Sequence, residues 1–206
     1  MLHTNKMSNR SYRWALAGLM VSGMMVSAVI PVFSDKKVKN ETIEASAMGT
    51  GTQMGQMYNI SVEIYAYSTP EDRQVLVKAF EKGQNQGLVN ALTKTRAVGH
   101  ISITGTLGYD LSYVHMIPTT TGRKIRFVTN RPLRFGEVWA DSQSTAFNLT
   151  GGEFDLDDTD KKKSTGVLYP ECQLALDKDG QLKIELTQNA WRLVDVLDWK
   201  GTAGVN

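Results

Sequence analysis

The sequence predicts an α+β domain. One helical pair follows the first strand, and a mainly antiparallel β-meander of about eight strands, able to curl toward a barrel, completes it. Three observations carry this reading. A strict two-residue alternation runs from Tyr58 to Ala66, a capped helical stripe starts at Thr69, and short apolar segments broken by turn chemistry fill the chain from Ala97 to Trp199.

In the opening strand, Tyr58, Ile60, Val62, Ile64 and Ala66 alternate with Asn59, Ser61, Glu63, Tyr65 and Tyr67. One face is therefore buried. Ser68-Thr69-Pro70-Glu71-Asp72 then places a hydroxyl cap before a proline, with acids in the first turn, and this starts a helix. Val75, Leu76, Ala79 and Phe80 form its apolar stripe, and Gly83 ends it where a left-handed backbone is cheap. A second short helix is expected from Gln84 to Lys94, with Leu88, Val89 and Leu92 facing inward.

From Ala97 the pattern is strand. Gly99, Ile101 and Ile103 alternate with polar residues, Leu111 to Ile117 is apolar, and Lys124 to Thr129 pairs with it across the turn Thr119 to Gly122. Asn130-Arg131-Pro132 interrupts pairing before a strand expected over Leu133 to Trp139. Leu149 and Phe154 lie in opposite phases around Gly151-Gly152, which predicts a bulge there. Val167 to Leu176, Gln181 to Leu186 and Trp191 to Trp199 finish the sheet, with a hairpin turn at Asp177-Lys178-Asp179-Gly180.

The domain is preceded by an export address. Lys6, Arg10 and Arg13 form a basic leader with no acid before Asp35, and an apolar run from Trp14 to Phe33 follows. Small residues at Val26 and Ala28, or at Val32 and Ser34, suit a signal peptidase. The run is also long enough to serve as an uncleaved anchor, the only route by which a membrane would be a partner. The organisation is thus 1–34 signal peptide or uncleaved N-terminal anchor, 35–56 flexible tether, 57–200 single α+β domain and 201–206 C-terminal tail. Outside the leader, 20 Lys and Arg face 21 Asp and Glu. That balance implies no nucleic-acid partner. Cys172 is the only cysteine, so no intrachain disulfide forms and the core must hold the domain. It shares strand phase with Leu168, Pro170, Leu174 and Leu176, and is expected to be buried and inert.

Several motifs together resemble a family of small exported bacterial proteins that carry no assigned activity. They are Thr69-Pro70-Glu71, Gly105-Thr106-Leu107-Gly108-Tyr109-Asp110, Arg131-Pro132, Gly-Gly-Glu-Phe-Asp-Leu-Asp at 151–157 and Lys-Asp-Gly-Gln-Leu-Lys-Ile at 178–184. The resemblance runs from about Asn59 to Lys200 and implies secretion and one fold unit. It carries no catalytic or binding residues. An acid often precedes the Arg-Pro pair in that family, whereas Asn130 stands there in this chain.

Chemistry-bearing residues are sparse. Glu153, Asp155, Asp157, Asp158 and Asp160 precede Lys161-Lys162-Lys163 and read as a solvated strand edge and hairpin tip, since alternate acids do not wrap a cation. His100 and His115, 15 residues apart, match no standard zinc spacing. No metal or cofactor is implied, and no nucleophile motif is present. Candidate ligand-binding residues are Tyr109, Asp110, Arg131, Arg134, Glu137 and Trp139, the last four lining a polar, aromatic rim at a sheet mouth. The leading expectation is an exported, non-enzymatic envelope domain that binds a small apolar or amphipathic ligand or a protein partner, with a barrel interior as the place to hold a ligand. The alternatives are a secreted hydrolase or isomerase with a site near Tyr109, Asp110 and Arg131, and a structural or interaction protein.

Overall fold

Among the described residues, nine strands and one α-helix account for the architecture. The computed structural model describes residues 40–133, 148–176, 182–188 and 190–199. The elements are β1 (Glu41–Met48), β2 (Met57–Ile64), α1 (Pro70–Leu92), β3 (Gly99–Ile103), β4 (Tyr109–Pro118), β5 (Gly122–Thr129), β6 (Leu149–Asp157), β7 (Thr165–Leu176), β8 (Leu182–Gln188) and β9 (Trp191–Trp199). Their spatial order is β6-β5-β4-β3-β2-β1-β9-β7-β8, and β7 pairs back onto β6. That last pairing closes eight strands into an antiparallel barrel. Strand β7 divides its length to achieve this. Gly166 to Leu168 pair with β9 inside the ring, while Glu171 to Leu176 pair with β8 and extend as a hairpin.

The tether expected over 35–56 is corrected, because Glu41–Met48 is a strand that pairs with β2 on one edge and β9 on the other. Its inward residues are Ile43, Ala45 and Ala47, all buried. Alanine and glutamate are poor strand formers, so the local signal is weak, and pairing on both edges supplies what propensity does not. The helical region follows the second strand rather than the first; it is one element, α1, interrupted by non-helical backbone at Gly83 and Gln84, where the sequence places the junction of the two expected helices. Gln84 takes the positive φ of 50°, while Gly83 has an ordinary extended φ of −141°. The start of α1 is as expected. Thr69 Oγ1 accepts from Asp72 N (3.2 Å), and Thr69 N donates to Asp72 Oδ2 (2.8 Å), a full capping box before Pro70. The strand expected over Leu133 to Trp139 and the turn at 177–180 lie outside the described residues beyond Leu133.

The barrel interior is packed with side chains. Ile43, Val62, Ile101, Leu111, Ile125, Phe127, Phe154, Leu168, Trp191 and Leu193 belong to one buried cluster. Eight strands enclose a space that side chains just fill, and the Phe127 and Phe154 rings meet in it, tilted at 35° with centroids 5.7 Å apart. Gly152 makes this possible, because a Cβ there would run into the Phe127 ring. The ligand-holding interior expected from the sequence is thereby replaced by a solid core.

A second core lies on the outside of the barrel. Leu76, Leu88 and Leu92 of α1 pack with Tyr113, Leu149, Cys172 and Leu174. Register shifts at Leu111/Tyr113 of β4 and, on β7, between Tyr169 and Cys172 send Leu111 and Leu168 inward and Tyr113, Cys172 and Leu174 outward. The bulge expected at the glycine pair is corrected, because the extra residue of the second shift lies on β7 between Tyr169 and Cys172 while β6 alternates without interruption. Cys172 is buried in this outer core, and burial pushes its thiol up to about 12, so the thiolate nucleophile does not form at neutral pH.

One end of the barrel is bridged by charge. Arg123 of β5 points along the inward phase and reaches both Glu41 of β1 and Asp198 of β9, the latter at 2.7 Å. β5 and β1 are four strands apart in an eight-membered ring, so the bridge spans its diameter. Tyr67 donates to the other oxygen of Glu41 at 2.6 Å, and burial followed by that bond raises its phenol above the usual range. Arg123→Leu would strand two largely buried carboxylates and is expected to cost about 3 kcal/mol. Tyr67→Phe removes one hydrogen bond and is expected to cost about 1 kcal/mol. Urea unfolding midpoints of the two variants check this ordering, and equal losses would contradict it.

Candidate functional site

The residues facing outward from β4, β5, β6 and β7 line a groove of about 470 Å³. Its floor is a cross-strand ion ladder. Lys124 lies directly opposite Asp155, and Arg126 opposite Glu153, in the β5–β6 register. Lys124 Nζ is 2.7 Å from Asp155 Oδ2 and 3.2 Å from Glu153 Oε1, while Arg126 Nε donates to Glu153 Oε2 at 2.5 Å. Opposed charges on one sheet face stabilise the pairing and fix the side-chain directions. Burial alone would raise the Glu153 carboxyl, but its bonds to Arg126 and Lys124 outweigh this and hold it below the usual value. Lys124 is raised, chiefly by its bond to Asp155.

The walls are apolar. Ile117 stands at one side, Val128, Val167 and Tyr169 at the middle, and Leu174 with Ile184 of the β7–β8 hairpin at the other. Arg73 overhangs from the start of α1, and Lys183 joins from β8. Tyr113 and His115 sit two residues apart on β4, and their rings stack at 6.3 Å. Burial, then the charges of Arg73 and Arg126, lower the His115 pKa from its ordinary 6.5. Burial raises the Tyr113 and Tyr169 phenols. Apolar walls over a charged floor make a place that holds a molecule with both kinds of surface.

The six residues singled out from the sequence are placed differently. Tyr109 packs against the barrel core, and the Arg131 guanidinium lies 5.8 Å from its ring centroid, a cation–π contact. Asp110 turns to His100 instead, with Oδ1 3.3 Å from Nδ1, while His100 Nε2 is 2.8 Å from the Leu107 carbonyl. None of the three lines the groove. Arg134, Glu137 and Trp139 lie outside the described residues. Arg131 begins the segment that folds over a buried pair of threonines. Thr129 Oγ1 donates to the Arg131 carbonyl, and Thr150 Oγ1 accepts from Leu133 N and donates to the Pro170 carbonyl, both at 2.5 Å. The Arg-Pro pair thus belongs to a satisfied buried polar network.

The acidic run is also resolved into separate roles. Glu153 and Asp155 serve the ladder, with β5 rather than the lysine triplet supplying the cations. Asp157 accepts from Thr159 Oγ1, Thr159 N and Asp160 N in the turn that follows, which brings its carboxyl down to about 2. Among the described residues, no three His, Cys, Asp or Glu side chains gather to hold a metal ion. Compared with known protein families, curated proteins and solved structures, the chain matches none. No helix among the described residues is long and apolar enough to cross a membrane.

The groove is hard to see in the sequence because its residues occupy the phase of each strand that alternation assigns to solvent. Val128, Val167 and Tyr169 in that phase are the signal that the outer face is partly covered. His115 tests its electrostatics. Its imidazole resonance is expected to titrate with a midpoint below 6.5 and to move up toward that value in Arg126→Ala. A midpoint at or above 6.5 in the unaltered chain would contradict the field described.

Proposed function

We propose that this chain is an exported bacterial envelope domain that binds a small apolar or amphipathic ligand in the outer groove and performs no chemistry on it. The groove carries the reading. It has apolar walls, a charged floor fixed by cross-strand pairs, and a volume of about 470 Å³, within the roughly 300–1,000 Å³ of small-molecule sites. A protein partner would require roughly 800 Å² of flat contact on each side, whereas this surface is concave and narrow. The basic leader, the apolar run behind it and the resemblance to small exported bacterial proteins support export.

The neutral fluorescent amphipath N-phenyl-1-naphthylamine serves as the probe. The exported chain is expected to take up one probe molecule, with emission enhanced by the apolar walls. Val167→Trp fills the groove from β7 and is expected to weaken uptake by about tenfold, the equivalent of roughly 1.4 kcal/mol. Uptake unchanged by this substitution, in a variant that still unfolds cooperatively, would place binding elsewhere. Recovery of the protein from the cell exterior, starting at Val29 or Asp35, checks the export part of the reading.

A further inference from the structure

We propose that the β1–β2 hairpin carries a second site, independent of the groove, in which Met48, Met54 and Met57 bind a single Cu(I) ion through their thioether sulfurs.

Placement is the first argument. Three of the four methionines among the described residues lie in this one hairpin, and Met48, Met54 and Met57 are exposed at 44%, 80% and 62%. Methionine ordinarily fills gaps in a core, so three on one exposed tip point to a use other than packing. None of them lines the groove. Met48 and Met57 are direct partners in the β1–β2 register, so their side chains leave the same face of the sheet with Cβ atoms about 5 Å apart. That face is the outer one, because Ala47 beside Met48 is buried. Met54 stands three residues before Met57, which keeps the two Cα atoms within about 11 Å. Each sulfur sits on an unbranched, freely rotating stem, so the three can reach one ion.

The backbone that carries them is held in place. Gly49 N donates to the Gln56 carbonyl at 2.9 Å across the base of the loop. Gly51–Gln53 forms a single 3-10 turn, closed by Met54 N on the Gly51 carbonyl at 3.2 Å, and Gln56 N donates to the Gln53 carbonyl at 3.1 Å. Gly49 permits this closure, because a Cβ there would run into the Gln53 carbonyl. Thr50 Oγ1 donates to the Ala190 carbonyl and ties the loop to the start of β9. A fixed backbone lowers the ordering cost of gathering the side chains on a ligand.

Donor chemistry is the second argument. Residues 48–57 contain no Asp, Glu, His, Cys, Lys or Arg. Neutral thioethers select soft Cu(I), whereas Ca²⁺ and Mg²⁺ take carboxylate-rich oxygen sets and Zn²⁺ takes Cys, His and carboxylates. Arg192 of β9 lies opposite Met48 on its other side, and its charge opposes a divalent ion more strongly than a monovalent one. Thioethers also do not pair off as disulfides, which suits the exported location proposed above.

Methyl NMR of the exported protein, labelled at its methionine methyl groups, tests the site. Cu(I) is added anaerobically as its acetonitrile complex. The Met48, Met54 and Met57 methyls are expected to move together and to saturate at one ion per chain, while Met116 stays in place. Zn²⁺ at the same concentration is expected to move none of them. Met54→Leu removes one sulfur at similar volume and is expected to weaken Cu(I) binding about tenfold. Met48→Leu with Met57→Leu is expected to abolish saturable binding, and the exposed positions leave the urea midpoint of either variant unchanged. No saturable shift, or binding that survives the double substitution, would overturn the inference. Movement of Met48 and Met57 without Met54, unaffected by Met54→Leu, would overturn the three-sulfur site, and equal shifts with Zn²⁺ would overturn the choice of ion. The groove reading stands or falls separately from all of these outcomes.

Discussion

Closure of eight strands around a narrow interior is the constraint from which the other features follow. The ring is completed by two ladders between strands that are not consecutive in sequence, β1–β9, which pairs Thr42 with Trp199, and β7–β9, which pairs Gly166 with Leu193. Once closed, the interior has room for side chains and little else. Phe127, Phe154 and Trp191 take that room, with alanines in β1 and Gly152 in β6 where bulk would collide. The Arg123 bridge to Glu41 and Asp198 then spans one end of the barrel. The filled interior therefore leaves the outer face of the strands as the place for the proposed ligand.

The outer face is prepared for that by what leans on it. Helix α1 and the β7–β8 hairpin form a second apolar core with Tyr113, Leu149 and Cys172, and their rims become the walls of the groove. The helix is positioned by its capping box at Thr69, and just past its break the Asn85 amide oxygen accepts from Leu174 N at 3.3 Å. The floor is positioned by the ladder of Lys124, Arg126, Glu153 and Asp155, whose cross-strand register leaves each charge a partner and little freedom. Packing thus sets the shape of the groove, and the cross-strand ion pairs set the charge of its floor.

Most local structure was legible in the sequence because it is written locally. The alternation in β2 and the capped start of α1 each depend on neighbours within a few residues. What was not legible depends on distant pairing. β1 reads as a tether because Ala45 and Ala47 are small, and only the crowded interior explains why they are small. The interruption of α1 falls at Gly83, as its glycine announces, but Gln84 rather than the glycine takes the positive φ. Among the candidate site residues, Tyr109 and Arg131 do meet, but as a cation–π contact at the edge of the core, with Asp110 engaged by His100. The groove draws on four strands, a helix and a hairpin, and no short motif announces such a convergence.

The most direct test of an external site on a solid barrel is methyl NMR with bound N-phenyl-1-naphthylamine. Intermolecular contacts from the probe are expected at Ile117, Val128, Val167 and Ile184, which line the groove, with none at Ile43, Ile101 or Ile125 in the interior. Contacts at the interior isoleucines would contradict the account, because they would require the barrel to open and its core to give way.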